Sequence, residues 1–191
     1  VMSLVAPHPD DLAGATANAP ALRFATTDDI PAIANLIARS AEILSRSFYT
    51  ADQRKAAIDH VFGVDRQLIA DQSYFVMASD RAIVGCGGWS KRETLFGGDQ
   101  VAMRSPRLLD PATEAARIRA FFVDPEAARG GIASALLAAS ELAARMQGFH
   151  TFELLATLPG VPFYAARGFT VTDKITIDLG GVSVPFVAMR K

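Results

Sequence analysis

Between Arg117 and Leu137 the chain reads RIRAFFVDPEAARGGIASALL, and no other stretch is better spaced to hold an anion. The apolar run Ile118 to Val123 predicts a buried strand. Asp124-Pro125 breaks it, Ala128-Arg129-Gly130-Gly131 makes a small-residue turn, and an amphipathic helix follows, expected over Arg129 to Gln147. Such a turn leaves backbone N–H groups unpaired where the helix dipole concentrates about +0.5 charge. Glycine there lets a phosphate approach the main chain without meeting a Cβ. The expected ligand is the diphosphate of a nucleotide-bearing cofactor. The turn Ala128-Arg129-Gly130-Gly131 would hold it. A P-loop is excluded because no lysine follows Gly131, and Ile132-Ala133-Ser134-Ala135 fails to complete a dinucleotide-binding GxGxxG.

Other reactive side chains are few. Cys86 lies in Val84-Gly85-Cys86-Gly87-Gly88 with no basic neighbour, and reads as a small core residue rather than a nucleophile. Glu114 and Glu153 flank the central strand and the one after its helix; each is a candidate base, and each reads more simply as a solvated or salt-bridged carboxylate. Arg129 either pairs with a cofactor phosphate or is an ordinary exposed turn arginine. His8-Pro9-Asp10-Asp11 is similar to the HPDD of zinc-dependent sugar N-deacetylases. No strand precedes it, and only His60 and His150 remain as further ligands, so no metal is expected.

The segment from Val123-Asp124-Pro125 to Ala133 resembles motif A of the GNAT superfamily of acetyl-CoA-dependent N-acyltransferases, [Q/R]-x-x-G-x-[G/A] after a strand ending in Val-x-Pro. Gly131 and Ala133 fill its last two places. Ala128 stands where Gln or Arg is usual. A second stretch, Val161-Pro162-Phe163-Tyr164-Ala165-Ala166-Arg167-Gly168-Phe169, looks like the family's aromatic-Tyr pair ahead of a Gly-Phe strand start, although Pro159 stands where Asn is frequent.

The resemblance implies a mixed α/β sheet with antiparallel flanks. Its central parallel strand pair would splay around the cofactor, with helices on both faces. It also implies acetyl-CoA as co-substrate, its diphosphate on Ala128, Arg129, Gly130, Gly131, Ile132, Ala133 and Ser134 and its pantetheine arm pairing with backbone near Phe121, Phe122 and Val123. Tyr164 would be the general acid at the departing thiolate, or else a core aromatic with its hydroxyl at the rim. The acceptor would be a primary amine of a small molecule or peptide, attacking directly in a ternary complex. A non-catalytic acyl-CoA-binding sensor of the same fold is the alternative, and a homodimer stays open.

The elements that must position these residues follow in order. Residues 1–20 show no lasting period and read as a flexible extension; residues 21–191 read as a single domain. Leu22 to Ala25 is a strand, and Thr27 or Asp28 caps a helix along Ile30, Ile33, Ile37, Ala41 and Leu44. Thr50 caps a second helix through Val61, and Asp65 opens a third. Tyr74 to Ala78 and Ala82 to Trp89 form a hairpin, and Ser90 to Ala115 is a long loop. Phe149 to Ala156 makes a parallel crossover after the central helix. A short helix through Arg167 and a final hairpin, Phe169 to Leu179 with Val182 to Met189, complete the chain. Phe48, Tyr49, Trp89 and Phe96 are candidate acceptor walls.

The 191 residues suffice for one sizeable core. A net charge of −1 argues against a nucleic-acid binder with a broad basic face. A single cysteine, no long apolar run and no visible signal peptide make the cytoplasm the expected location, without membrane attachment.

Overall fold

The computed structural model describes residues 19–80, 82–101 and 105–191. The HPDD stretch and most of the N-terminal extension lie outside those residues. The seven strands are β1 (Ala21–Phe24), β2 (Tyr74–Ala78), β3 (Ile83–Ser90), β4 (Ala116–Val123), β5 (Phe152–Ala156), β6 (Thr170–Leu179) and β7 (Val182–Arg190). They form one sheet in the order β1-β2-β3-β4-β5-β7-β6. Every neighbouring pair is antiparallel except β4 and β5. The helices are α1 (Ile30–Leu44), α2 (Ala51–His60), α3 (Arg66–Ala70), α4 (Ile132–Met146) and α5 (Val161–Ala165).

Alternation along the strands sorts the side chains into two faces. Phe75, Trp89 and Ile118 pack with Ile132 and Leu136 of α4 and Tyr164 of α5. Tyr74, Val76 and Cys86 pack on the other side with Ile33 and Ile37 of α1 and Leu68 of α3. A third cluster joins Ala56 and Ala57 of α2 to Val184 and Phe186 of β7. The sheet is thus covered on both faces, with α1, α2 and α3 opposite α4 and α5.

Local chemistry sets the element ends. Thr50 caps α2 as expected: its hydroxyl accepts from Gln53 N–H at 3.2 Å while the Gln53 side chain accepts from Thr50 N–H at 3.1 Å. Asp65 caps α3, accepting from Gln67 N–H at 3.1 Å. Before α1 neither Thr27 nor Asp28 is the cap: Thr26 caps a 3-10 turn, and Asp29 is the residue that precedes the helix. The Asp29 carboxylate accepts from Thr26 N–H at 2.8 Å, closing a 3-10 turn, Thr27–Asp29, that leads into the helix.

Helix α4 starts at Ile132 rather than Arg129, because Arg129 (φ 66°) and Gly131 (φ 81°) are both left-handed. It ends as expected at Gly148 (φ 90°), where Phe149 N–H reaches Ala144 O at 3.2 Å and Gly148 N–H reaches Arg145 O at 2.9 Å. That cap uses up Phe149, so β5 begins only at Phe152. Helix α5 closes the same way and stops before Arg167: Phe169 N–H bonds Tyr164 O at 3.2 Å and Gly168 N–H bonds Ala165 O at 3.1 Å.

The loop after β3 is pinned by paired bonds from Arg92 to Asp71, at 2.7 and 2.8 Å, and from Leu109 N–H to Lys91 O at 2.8 Å. No helix among the described residues is long and apolar enough to cross a membrane.

Candidate functional site

The centre of the sheet is where pairing fails. Strands β4 and β5 meet only at Ala116↔Phe152 and Arg117↔Glu153, then part. The splay therefore begins after Arg117, well before β4 ends at Val123. A second irregularity lies on the opposite edge of β4. Cys86 pairs with Phe122 and Gly88 with Arg119, so Ala120 and Phe121 together oppose Gly87. This is a bulge, with Ala120 at φ 58°. A Cβ on Gly87 would stand 2.8 Å from the Phe121 ring, which is why glycine is needed there. The extra residue resets the alternation, so that Ala120 and Phe122 fall on the α1 side and Phe121 on the α4 side. Phe121 meets Tyr164 edge-on at 6.3 Å, and Phe122 meets Phe62 edge-on at 5.5 Å. Together the splay and the bulge open a cavity of about 560 Å³ that is lined from both faces of the sheet.

At one end of this cavity lies the turn that precedes α4. Among the described residues, no acceptor meets the amides of Arg129, Gly131, Ile132, Ala133 or Ser134; the first helical bond is Ala135 N–H to Gly131 O at 3.0 Å. A Cβ on Gly131 would touch nothing within 4 Å, so its positive φ rather than crowding demands glycine. Five bare amides with an exposed Arg129 beside them suit an oxyanion-bearing ligand.

The structure adds a second cation that sequence reading missed. Arg167 donates to the Ser134 hydroxyl and, at 3.0 Å, to Phe163 O, while its guanidinium lies 3.8 Å above the Phe163 ring. Its signal was its place three residues after Tyr164, on the same helical turn, although Ser134 lies 33 residues away in sequence.

Tyr164 lines the same cavity and is 9% exposed. Phe163 at 5.0 Å and Phe169 at 5.6 Å hold its ring edge-on. Its hydroxyl has no hydrogen-bond partner among the described residues, and burial raises its pKa above the ordinary phenol value. It is a neutral donor with nothing yet to donate to. Phe121, Phe122, Val123, Ala128, Arg129, Gly131, Ile132, Ala133 and Ser134 all line the cavity, whereas Gly130 does not.

The candidate bases stand elsewhere. Glu153 is ion-paired with Arg117 and, at 3.5 Å, with Arg190. Glu114 pairs with Arg107 at 2.7 Å, and that guanidinium holds its carboxyl down at about 2. Neither lines the cavity. Cys86 is fully buried, and burial pushes its thiol up to about 12. Of the four aromatics considered as acceptor walls, Phe96 alone lines the cavity. Phe48 is 48% exposed, and Trp89 is a core residue packed edge-on against Phe149 at 5.8 Å. Tyr49 is a structural tie: its hydroxyl donates to Pro185 O at 2.8 Å and accepts from Leu158 N–H at 2.9 Å. No group of three or more His, Cys, Asp or Glu able to hold a metal occurs among the described residues.

Comparison with known proteins agrees with this layout. The family described as "Acetyltransferase (GNAT) domain" matches residues 70–171, just over half of the chain. No curated protein matches the sequence. Among solved structures, a GCN5-related N-acetyltransferase from Rhodopseudomonas palustris superposes with a TM-score of 0.66 at 20% identity, covering 92% of this chain and 96% of that one. The PaiA N-acetyltransferase from Thermoplasma acidophilum, solved with coenzyme A, gives 0.60 at 15% identity over 90% and 97%. YncA from Salmonella typhimurium, solved with its cofactor acetyl-CoA, gives 0.57 at 18% identity over 91% and 94%. At these identities the likeness is one of fold, and it includes the mixed sheet with its single parallel pair.

Proposed function

The chain belongs to the GNAT acetyltransferase family, and from that premise we propose that it transfers an acetyl group from acetyl-CoA to a primary amine of a small molecule or peptide. The amine attacks directly in a ternary complex. The observation that carries this reading is the row of five unpartnered amides at the start of α4, placed beside the gap where β4 and β5 part. Two structural neighbours contain coenzyme A or acetyl-CoA, which supports the choice of co-substrate.

Acetyl-CoA supplies a thioester carbonyl already activated toward amines. The chain supplies the rest. Within Ala128 to Ser134, the five bare amides of Arg129, Gly131, Ile132, Ala133 and Ser134 bind the diphosphate, and Arg129 and Arg167 add positive charge beside it. The edge of β4 beyond Arg117, at Phe121, Phe122 and Val123, lacks a strand partner on the β5 side; Val123 N–H is met there by the Ser40 hydroxyl at 3.3 Å, and the other main-chain groups of that edge are left for an amide-bearing arm. Tyr164 stays neutral and gives its proton to the departing sulfur, a task its raised pKa leaves open at any physiological pH. Cys86 takes no part: it is sealed in the core and holds its proton, so no acyl-enzyme forms on it.

Thiol release tests the reading. Purified protein with acetyl-CoA should liberate free thiol when given one or more of a panel of amino acids, arylalkylamines, polyamines, aminoglycosides and peptide N-termini. Tight acetyl-CoA binding with no thiol released by any amine would replace the enzyme with an acyl-CoA sensor of the same fold.

A further inference from the structure

Beyond the gap between β4 and β5 the cavity continues to the face opposite α4. Its walls there are Leu44 at the end of α1, Val61 and Phe62 after α2, Phe96 of the long loop and Phe186 of β7. Phe62 stands edge-on to Phe122 at 5.5 Å and to Phe186 at 6.4 Å, giving a chamber with aromatic sides. We propose that this chamber receives the acceptor, and that the acceptor is a monoamine carried on an apolar body about the size of an aromatic ring. The proposal deepens the acetyl-transfer reading and rests on it.

Charge decides between acceptor classes. Among the described residues, the charged or titratable side chains lining the whole cavity are Arg119, Arg129, Arg167 and Tyr164, with no carboxylate, imidazole or lysine. Arg129 and Arg167 stand at the anion turn on the α4 side. Arg119 is the one charge near the chamber, and it is committed. Its guanidinium is 2.9 Å from Asp65, both side chains are almost wholly buried, and it donates to Thr94 O at 3.2 Å and to Gly97 O. A polyamine or aminoglycoside would carry its remaining ammonium groups into these walls with nothing to pair them. An acidic acceptor would find no uncommitted cation. An apolar ring gains by leaving water.

The same lining governs the nitrogen. With no base at hand the amine must enter as the free base, and an apolar chamber favours that form. Transfer forms the N–C bond and breaks the C–S bond. The sulfur takes the Tyr164 proton, and the proton lost by the nitrogen passes through water to restore the phenol. The amine and thioester thus become the amide and the free thiol, with no other reactant.

The test compares phenethylamine, spermidine and glutamate on the full chain. Two quantities are measured for each: kcat/KM for thiol release, and calorimetric binding to protein saturated with coenzyme A. Phenethylamine should exceed spermidine in kcat/KM by a factor on the order of 30–100, the worth of burying one ring. Leu44→Glu, at a residue 38% exposed, sets a carboxylate at the chamber rim and should narrow that ratio about fivefold. Higher kcat/KM with spermidine or glutamate overturns the proposal while leaving acetyl transfer standing. If phenethylamine alone binds but no amine releases thiol, the chamber stands and the catalytic reading falls. If phenethylamine neither binds nor reacts, the proposal is lost.

Discussion

At Tyr164 the surroundings of a single side chain suit the proton donor proposed for it. Three aromatic rings hold it edge-on, and its burial keeps the proton on oxygen well past the ordinary phenol range. Tyr164→Phe keeps the ring and removes the proton, so kcat should fall about a hundredfold while the KM for acetyl-CoA hardly moves. Steady-state kinetics with both substrates varied checks this, and equal turnover in the two proteins would remove Tyr164 from the reaction. The sign of the pH dependence follows. A donor whose pKa is raised above ~10 stays protonated below that pH, so it adds no falling limb there. The rising limb belongs to the acceptor, which must lose its own proton. A plot of kcat/KM against pH should climb through pH 7 to 9 toward the acceptor's pKa, near ~10 for an alkylamine, with no falling limb from Tyr164; a decline between pH 7 and 9 would contradict it. The place of Tyr164 at the cavity was legible because Phe163, Gly168 and Phe169 surround it in a recognisable order. Arg167 was not, because its meaning lies in Ser134, which only the folding of α5 against the start of α4 brings near.

At the scale of elements, the strand-turn-helix around α4 could be read from Pro125, Gly130 and Gly131, yet the helix start could not be fixed. Arg129 adopts φ 66° without being glycine, so residue type gave no warning. The bulge was hidden for the same reason, since Ala120 looks like any strand alanine. Gly131→Ala is informative here. There is room for the methyl group, so the cost is the left-handed backbone, about 1–2 kcal/mol. The variant should fold with a Tm lower by a few degrees, and should bind acetyl-CoA more weakly as the turn relaxes, both readable by thermal shift with and without the ligand. The buried Asp65–Arg119 pair ties the α3 cap to β4 and, through Arg119, to the loop at Thr94 and Gly97. Asp65→Ala leaves a buried guanidinium without its partner and α3 without its cap. The expected loss is about 3–5 kcal/mol, or a Tm drop on the order of 10 °C in a chain of this length. Calorimetry showing a drop below ~2 °C would mean the pair is not the tie the geometry suggests.

Across the whole molecule, the β2-β3 and β6-β7 hairpins and the β4-β5 crossover followed from local signals, whereas the pairings of β1 with β2, β3 with β4 and β5 with β7, and the chamber walls, did not. The walls come from α1, α2, a loop and β7, which no local pattern brings together, and so Trp89 and Tyr49 looked as suitable as Phe96. The same topology has a mechanical consequence. The sheet is two blocks, β1 to β4 and β5 to β7, joined along their shared edge by only two residue pairs. Further ties come from helices and side chains, among them α2 on β7 and the Tyr49 hydroxyl between Leu158 and Pro185. A ligand filling the gap would pair with strand edges that now lack partners, and would act as the missing ladder. Saturating acetyl-CoA, at about 100 times its Kd, should raise global stability by about 2.7 kcal/mol. Hydrogen exchange should show where that stability is placed. Slowing is expected along Ile118 to Val123 and Leu154 to Ala156, as well as at the turn before α4, while the outer edge of β6 keeps its rate. Protection confined to residues 128–134 would mean that the diphosphate is gripped but the gap stays open, and the parted strands would then have no part in holding the acyl group.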